Sequence, residues 1–397
     1  MYRNVRVEVD TTVISDNIQK IVATYNDYQY YIGVVKGNAY GHGMGIVKTL
    51  IANGINYIAV ADLDEALEVR AIDADIPILC LAPISLEYLV LCVENRITMT
   101  ISNYEYYKEL LERWLVFSQD FRDSGLKVHV KLNTGFNRLG IRERAYLEEI
   151  FSNLTAHPDI ELEGIFTHLA TSGVLDTVYD TQIRQFKELT QNIDLSQVKI
   201  IHLARSSTLE FHNRIEFANG LRVGLLMFGI TQTFRDYHGI KGLLRKRKDL
   251  RTKKKHDISE TKISNDLKLG IAFALKVGIL EINKIKQGEL VGYGDMFKAP
   301  CDGYVAVCPI GYSDGLSLKY LGCNVCINGA LYPVVGTINM CLITIFVDEN
   351  VSLEDEVVIV GGTVGGENNI KETARALEVT PYVVMVSISK SIPRVYV

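Results

Sequence analysis

Five side chains able to do acid, base or nucleophilic chemistry fall where apolar runs end. Lys36 closes the run in "YYIGVVKGNAYGHG", Lys131 ends "KVHVKL" and His168 ends "LEGIFTH", while His202 sits in "VKIIHLA" and Arg222 within "NGLRVG". An ammonium at the tip of a buried strand is costly to desolvate, and burial moves it toward the neutral amine. Such a lysine either snorkels to water or stands ready as a nucleophile for a carbonyl. One histidine at a strand end is ordinarily structural. Five polar groups converging on one mouth point to a site.

The elements that must position them alternate. From about residue 12 to 230, eight short apolar runs ("YYIGVV", "YIAVA", "PILCLA", "ITMTI", "KVHVKL", "LEGIFTH", "VKIIHLA", "NGLRVG") are separated by stretches of helical period such as "LDEALEVRAID". Near-continuous apolar strands alternating with helices predict a parallel sheet, and eight units predict an α/β fold of the (β/α)8 TIM-barrel type. Active sites of such barrels lie at the C-terminal strand ends, where these residues fall. The later segments "GYVAVCPIGYSDG", "NVCINGALYPVVGTI", "CLITIFVDE" and "DEVVIVGG" are short strands with Gly, Asn-Gly and Asp-Gly turns. They predict a C-terminal, mainly-β domain. The expected division is a barrel over 11–235 and a β domain over 236–397, with the alternating segment 1–10 pairing into the latter.

Bulk properties bound the rest. The 397 residues favour two domains, and 48% hydrophobic with 22% charged residues is a soluble balance. No apolar run approaches the ~18 residues of a membrane span, and "MYRNVRVEVD" has no signal-peptide core, so a cytoplasmic protein is expected. Seven scattered cysteines argue for reduced thiols, and the single CxxC, Cys323 to Cys326, has no second ligand pair for zinc. The basic insertion 241–256 carries nine Lys/Arg against one acid up to Lys255, in a chain of net charge -5. With no aromatic residues interleaved it reads as a solvated insertion, and no nucleic-acid partner is expected. "GHGMGI" lacks the GxGxxG spacing of a dinucleotide site. A better anion site is formed by Ser206 in "ARSST" with the amides of Gly224 and Leu225 in "RVGL", near strands seven and eight. A lysine amine and a phosphate cradle across one barrel mouth fit pyridoxal 5'-phosphate.

The motifs also resemble a known family. "VVKGNAYGHG" is similar to the cofactor-lysine motif of alanine racemases, the fold-type III pyridoxal phosphate enzymes, and the resemblance continues in "KLNTGFNRLG", "EGIFTHLATS", "LRVGLLMFGI", "GYGDMFKA", "PIGYSDG", "VVGTINM" and "SIPRVYV". It spans the chain apart from the basic insertion. It implies an isomerase that interconverts L- and D-alanine for peptidoglycan supply, working as a homodimer whose sites are completed by the partner's β domain. Lys36 would bind the cofactor covalently and act as one acid/base; Tyr293 of "GYGD", from the partner, would be the other. Tyr40, Ser206, Gly224, Leu225 and Tyr382 would hold the phosphate. Arg222 would face the pyridine nitrogen, supported by His202; Arg138 the phenolic oxygen and substrate; His168 the ring face. Lys131 matches a lysine that is often carbamylated and orients the arginine matched by Arg138. Tyr312 and Met340 would line the substrate pocket and its entry.

Those types suit the chemistry. Racemisation removes a proton on one face and returns one on the other, so it needs two bases, and cationic or histidine neighbours such as Arg222 and His168 would favour a tyrosine phenolate. An arginine at the pyridine nitrogen keeps that nitrogen unprotonated and restrains side reactions. Four family positions differ, with Asn133, Arg205 and Cys341 replacing Asp, Asn and Asp, and Gly173 replacing an acid. None touches Lys36 or Tyr293. They suggest a divergent member with altered range or rate, and leave open a serine or broad-specificity racemase, or a non-catalytic pyridoxal-phosphate-binding regulator acting through the insertion. Tyr382 leaves little room for a polar substrate, which favours alanine.

Overall fold

The structure, a computed structural model, describes residues 3–117, 125–170, 178–212, 214–231, 267–361 and 368–397, with five further positions between 240 and 251. Most of the basic insertion, the expected boundary at 236 and Gly173 lie outside the described residues.

Strand β1 (Val5–Val9) precedes a barrel of β2 (Tyr30–Val34), β3 (Tyr57–Val60), β4 (Ile78–Cys80), β5 (Ile97–Ile101), β6 (Leu126–Leu132), β7 (Ile160–Thr167), β8 (Ile200–Arg205) and β9 (Gly220–Val223). These eight close on themselves in sequence order, each parallel to its neighbours, as β9 pairs back to β2. They fall on the eight apolar runs because a parallel strand covered on both faces must be apolar nearly throughout. β3, β4 and β5 are buried at every residue.

The helix Thr11–Thr24 illustrates how the outer layer is fixed. Asp10 caps it, accepting from the Val13 amide at 2.9 Å, and Ile14, Ile18 and Ile21 form its buried stripe. Asn17 on the same stripe donates to the carbonyls of Met227 (3.0 Å) and Gly270 (2.8 Å), tying the helix to the loop after β9.

The β domain is a nine-stranded sheet, ordered β11-β12-β15-β14-β13-β16-β10-β1-β17. Its strands are β10 (Phe273–Gly278), β11 (Glu281–Ile285), β12 (Gly303–Cys308), β13 (Asn324–Ile327), β14 (Ala330–Val335), β15 (Ile343–Val347), β16 (Glu356–Val360) and β17 (Arg394–Tyr396). The Asn328–Gly329 turn, both residues at positive φ, makes the β13–β14 hairpin. β1 pairs antiparallel with β10 and parallel with β17, so both ends of the chain meet in this sheet. Among the described residues no helix is long and apolar enough to cross a membrane, and no cluster of His, Cys, Asp or Glu would hold a metal ion.

Candidate active site

Lys36 follows β2 and opens an unusual turn. Gly37, Asn38, Ala39, Tyr40 and Gly41 all have positive φ, between 51° and 86°, a left-handed run that costs each non-glycine residue about 1–2 kcal/mol. The surroundings over-determine it. Glu65 accepts from the amides of Gly37 (2.6 Å), Asn38 (3.1 Å) and Ala61 (3.0 Å). His42, stacked on Phe228 at 4.0 Å, meets the Ala39 carbonyl through Nδ1 at 3.0 Å. Burial lowers the His42 pKa to about 3, so Nδ1–H is the donor. From the C-terminus, Arg394 Nε donates to the Gly41 carbonyl at 3.0 Å. The glycines of "GHG" serve close packing: a Cβ on Gly41 would stand 2.3 Å from the Met385 carbonyl oxygen, and one on Gly43 2.4 Å from the Tyr396 hydroxyl.

Glu65 was not singled out by its sequence context, though "DLDE" carries the signal. Asp62 caps the helix Leu63–Ile72 by accepting from the Glu65 amide, the reciprocal spacing of a capping box, and the glutamate reaches back beyond the cap to the lysine turn. Because three backbone donors share this buried acceptor, Glu65→Ala is expected to cost about 3 kcal/mol of stability, with Glu65→Gln recovering part of it, read from urea unfolding midpoints. Unchanged midpoints would remove the clamp.

The barrel's C-terminal mouth forms a cavity of about 680 Å³, lined among others by Lys36, Tyr40, Lys131, Arg138, His168, Ser206, Arg222, Gly224, Leu225 and Tyr382. The sequence-predicted residues of the barrel thus come together, with His202 beneath them, hydrogen-bonded to Arg222 at 2.7 Å. Tyr382 arrives on the helix Pro381–Val386, which Pro381 starts after Thr380. Tyr293, Tyr312 and Met340 do not join them. All three are exposed on the β domain, Tyr293 at 77%, held between Gly292 and Gly294 at positive φ.

Electrostatics define the cavity. Lys36, Lys131, Arg138, Arg205 and Arg222 line it, and among the described residues no carboxylate does. Burial, then Arg138 and Arg222, lower the Lys36 amine from the ordinary lysine value. Burial, then Arg222, Arg138 and Lys36, bring Lys131 down to about 8. Arg222 donates to the carbonyls of His202 (2.6 Å), Thr167 (2.8 Å) and Leu203 (3.1 Å), which fix its guanidinium. The His168 pKa is lowered to about 2 by burial, then Arg222, Arg205 and Arg138, so its imidazole is neutral and would meet a phenolate as an N–H donor rather than as a cation. Its ring meets Phe136 edge-on at 5.0 Å.

These residues fit a phosphorylated, anionic cofactor. The Ser206 hydroxyl accepts from the Gly224 amide at 3.1 Å, and a Cβ on Gly224 would come within 2.9 Å of the Tyr40 hydroxyl, so a bare backbone is needed there. The hydroxyl of Ser207, beside them, is buried without a hydrogen-bond partner among the described residues, an orphan that an anionic oxygen would satisfy. Three arginines and two lysines on one lining favour a ligand that carries negative charge.

Comparison with known proteins agrees with this geometry. The profile described as alanine racemase, N-terminal domain, matches residues 9–232, and that of the C-terminal domain matches residues 272–396. Alanine racemase 2 of Caldanaerobacter subterraneus is 31% identical over 403 residues, covering 100% of this chain and 95% of that protein. The crystal structure of alanine racemase from E. faecalis superposes with a TM-score of 0.85 at 27% identity, covering 100% of this chain and 99% of that one. That of Bacillus anthracis, with bound L-Ala-P, has a TM-score of 0.82 at 28% identity, covering 100% and 96%.

Proposed function

The chain belongs to the alanine racemase family, and from that premise we propose that it interconverts L- and D-alanine with pyridoxal 5'-phosphate in the barrel mouth, working as a homodimer. The observation that carries this reading is the half-buried Lys36 amine presented into a cavity lined by Lys131, Arg138, Arg205 and Arg222, with no carboxylate among the described residues. The cofactor, when bound, supplies the electron sink that makes the α-proton of an amino acid removable. Ser206, Tyr40, Tyr382 and the amides of Gly224 and Leu225 would hold its phosphate. Arg222 would meet the pyridine nitrogen, Arg138 the phenolic oxygen and the substrate carboxylate, and His168 would pack on the ring.

Lys36 takes or returns the α-proton on one face. Burial, then the neighbouring arginines, favour the neutral amine, the form able to accept a proton. The Tyr293 hydroxyl of a second copy does the same on the opposite face, and Tyr312 and Met340 of that copy close the substrate pocket. Exposure of all three in the single chain supports an assembly that covers them. Incubation with L-alanine in D2O is expected to give deuterium at Cα in both enantiomers. Exchange confined to other amino acids would replace alanine as substrate, and none at all would end the racemase reading.

Two positions extend it. Arg205 puts a third arginine on the cavity wall, so Arg205→Asn is expected to raise the pyridoxal phosphate Kd about 10-fold, the loss of one charge-assisted contact. An unchanged Kd in fluorescence titration would place Arg205 off the phosphate. Lys131, lowered to about 8, has a fraction of neutral amine near neutral pH, and CO2 added to that amine would give an anionic carbamate beside Arg138 with release of one proton, two counted from the ammonium. A carbamate signal from 13CO2 is expected to grow as pH rises through 8, and Lys131→Met to abolish it.

A further inference from the structure

Below the cavity, polar side chains continue down the barrel. Arg222 on β9 donates to His202 Nδ1 on β8 at 2.7 Å, and His202 Nε2 lies 2.9 Å from His129 Nδ1 on β6. His129 Nε2 lies 3.2 Å from Oε2 of Glu163 on β7. The other Glu163 oxygen accepts from Lys127 Nζ at 2.9 Å, near the start of β6, so the column runs from the C-terminal strand ends toward the opposite mouth. His129, His202, Glu163 and Arg222 are all buried. Two glycines make room for the imidazoles: a Cβ on Gly164 would fall 2.4 Å from the His129 ring, and one on Gly220 2.9 Å from the His202 Cβ.

Each hydrogen bond in the column has only one possible direction. Arginine can only donate, so His202 Nδ1 accepts, and its proton must sit on Nε2, pointing at His129 Nδ1. His129 then carries its own proton on Nε2, pointing at the carboxylate. Burial, then Arg222, hold His202 neutral, and burial holds His129 neutral against the pull of Glu163. Burial opposes the Glu163 charge, but hydrogen bonds from His129, Tyr57 and Lys127 outweigh it and keep the carboxylate ionised. Both imidazole dipoles therefore turn their negative ends toward Arg222.

We propose that Glu163, acting through His129 and His202, is a positioning residue for Arg222, fixing the guanidinium's orientation and supplying a counter-charge from below the cavity. This rests on the reading that Arg222 meets the pyridine nitrogen. No proton travels along the column; it holds one tautomer of each ring.

The test is 15N NMR of histidine-labelled protein, with and without pyridoxal phosphate. His129 and His202 are expected to stay neutral and protonated on Nε2 from about pH 5.5 to 9, across the ordinary histidine range. In Glu163→Gln the amide can offer either an N–H or a C=O to His129, so both tautomers are expected to appear at both rings. With 15N-labelled cofactor, the pyridine-nitrogen resonance should shift in that variant, and kcat should fall about 10-fold with the alanine KM nearly unchanged, as for loss of an outer-shell partner. Lys127→Met, at a half-exposed position that spares folding, should shift the His129 resonances and lower kcat about 2-fold, the small end of such effects. An Nδ1 proton or a titration in either ring overturns the proposal. So does a variant with altered tautomers but unaltered pyridine-nitrogen signal and kcat. Absence of any pyridoxal phosphate binding would sink the cofactor reading instead, and the tautomers of the cofactor-free protein would still report on the column.

Discussion

Lys36→Ala is expected to lower racemisation about 10⁴-fold or more, the upper range for loss of a positioned acid/base that is also the nucleophile. The fold should survive. The Lys36 side chain is half-buried, its charged form is disfavoured there by burial and by Arg138 and Arg222, and the left-handed turn is held by Glu65, His42 and Arg394 through backbone groups. Removing the amine therefore relieves charge crowding without removing a structural bond. Borohydride treatment of the pyridoxal-phosphate-loaded protein, followed by mass spectrometry, should add the reduced cofactor to the wild type and nothing to the variant. Lys36→Arg separates charge from basicity: it keeps a cation in place but cannot give up its proton near neutral pH. It should be as inactive as the alanine variant. Substantial turnover in either would move the base elsewhere, with Lys131, lowered to about 8 in the same cavity, as the alternative.

The barrel was legible because each of its strands is buried on both faces and so reads as a short, near-continuous apolar run. Lys36, Lys131 and His168 were legible for a related reason: a polar group ending such a run must be tolerated by something at the strand tip. The conformation beside Lys36 was not. Asn38, Ala39 and Tyr40 have no intrinsic preference for positive φ strong enough to predict it, and the contacts that impose it come from Glu65 and Arg394, far along the chain. Glu163 offered a signal in "ELEGIFTH", a carboxylate inside a buried run, and His129 offered another, two residues before Lys131 and so on the same face of β6. Their meaning depends on the closed barrel bringing β6, β7 and β8 side by side. The charge state of His168 was not legible either, because burial and the three arginines around it, contributed by separate loops and strands, are what favour the neutral imidazole.

Tyr293 poses the sharpest test, because the single chain leaves it exposed on the β domain and outside the cavity that holds Lys36. Tyr293→Phe is expected to lower racemisation about 10²–10⁴-fold, the worth of one acid/base, with little change in stability since an exposed hydroxyl is lost to water. Protein loaded with pyridoxal phosphate should still be reduced by borohydride at Lys36. The decisive experiment mixes two inactive proteins. If each site takes Lys36 from one copy and Tyr293 from another, co-folding Lys36→Ala with Tyr293→Phe at equal amounts makes mixed dimers with one intact site and one doubly defective site. Random pairing in a two-fold dimer then restores about a quarter of wild-type activity. If both residues serve the same chain's site, every site in every pairing carries one defect, and activity stays at the level of the separate variants. The restored fraction thus decides whether the base arrives from a neighbour, with no assumption about how tightly the two copies bind beyond their being paired during the assay.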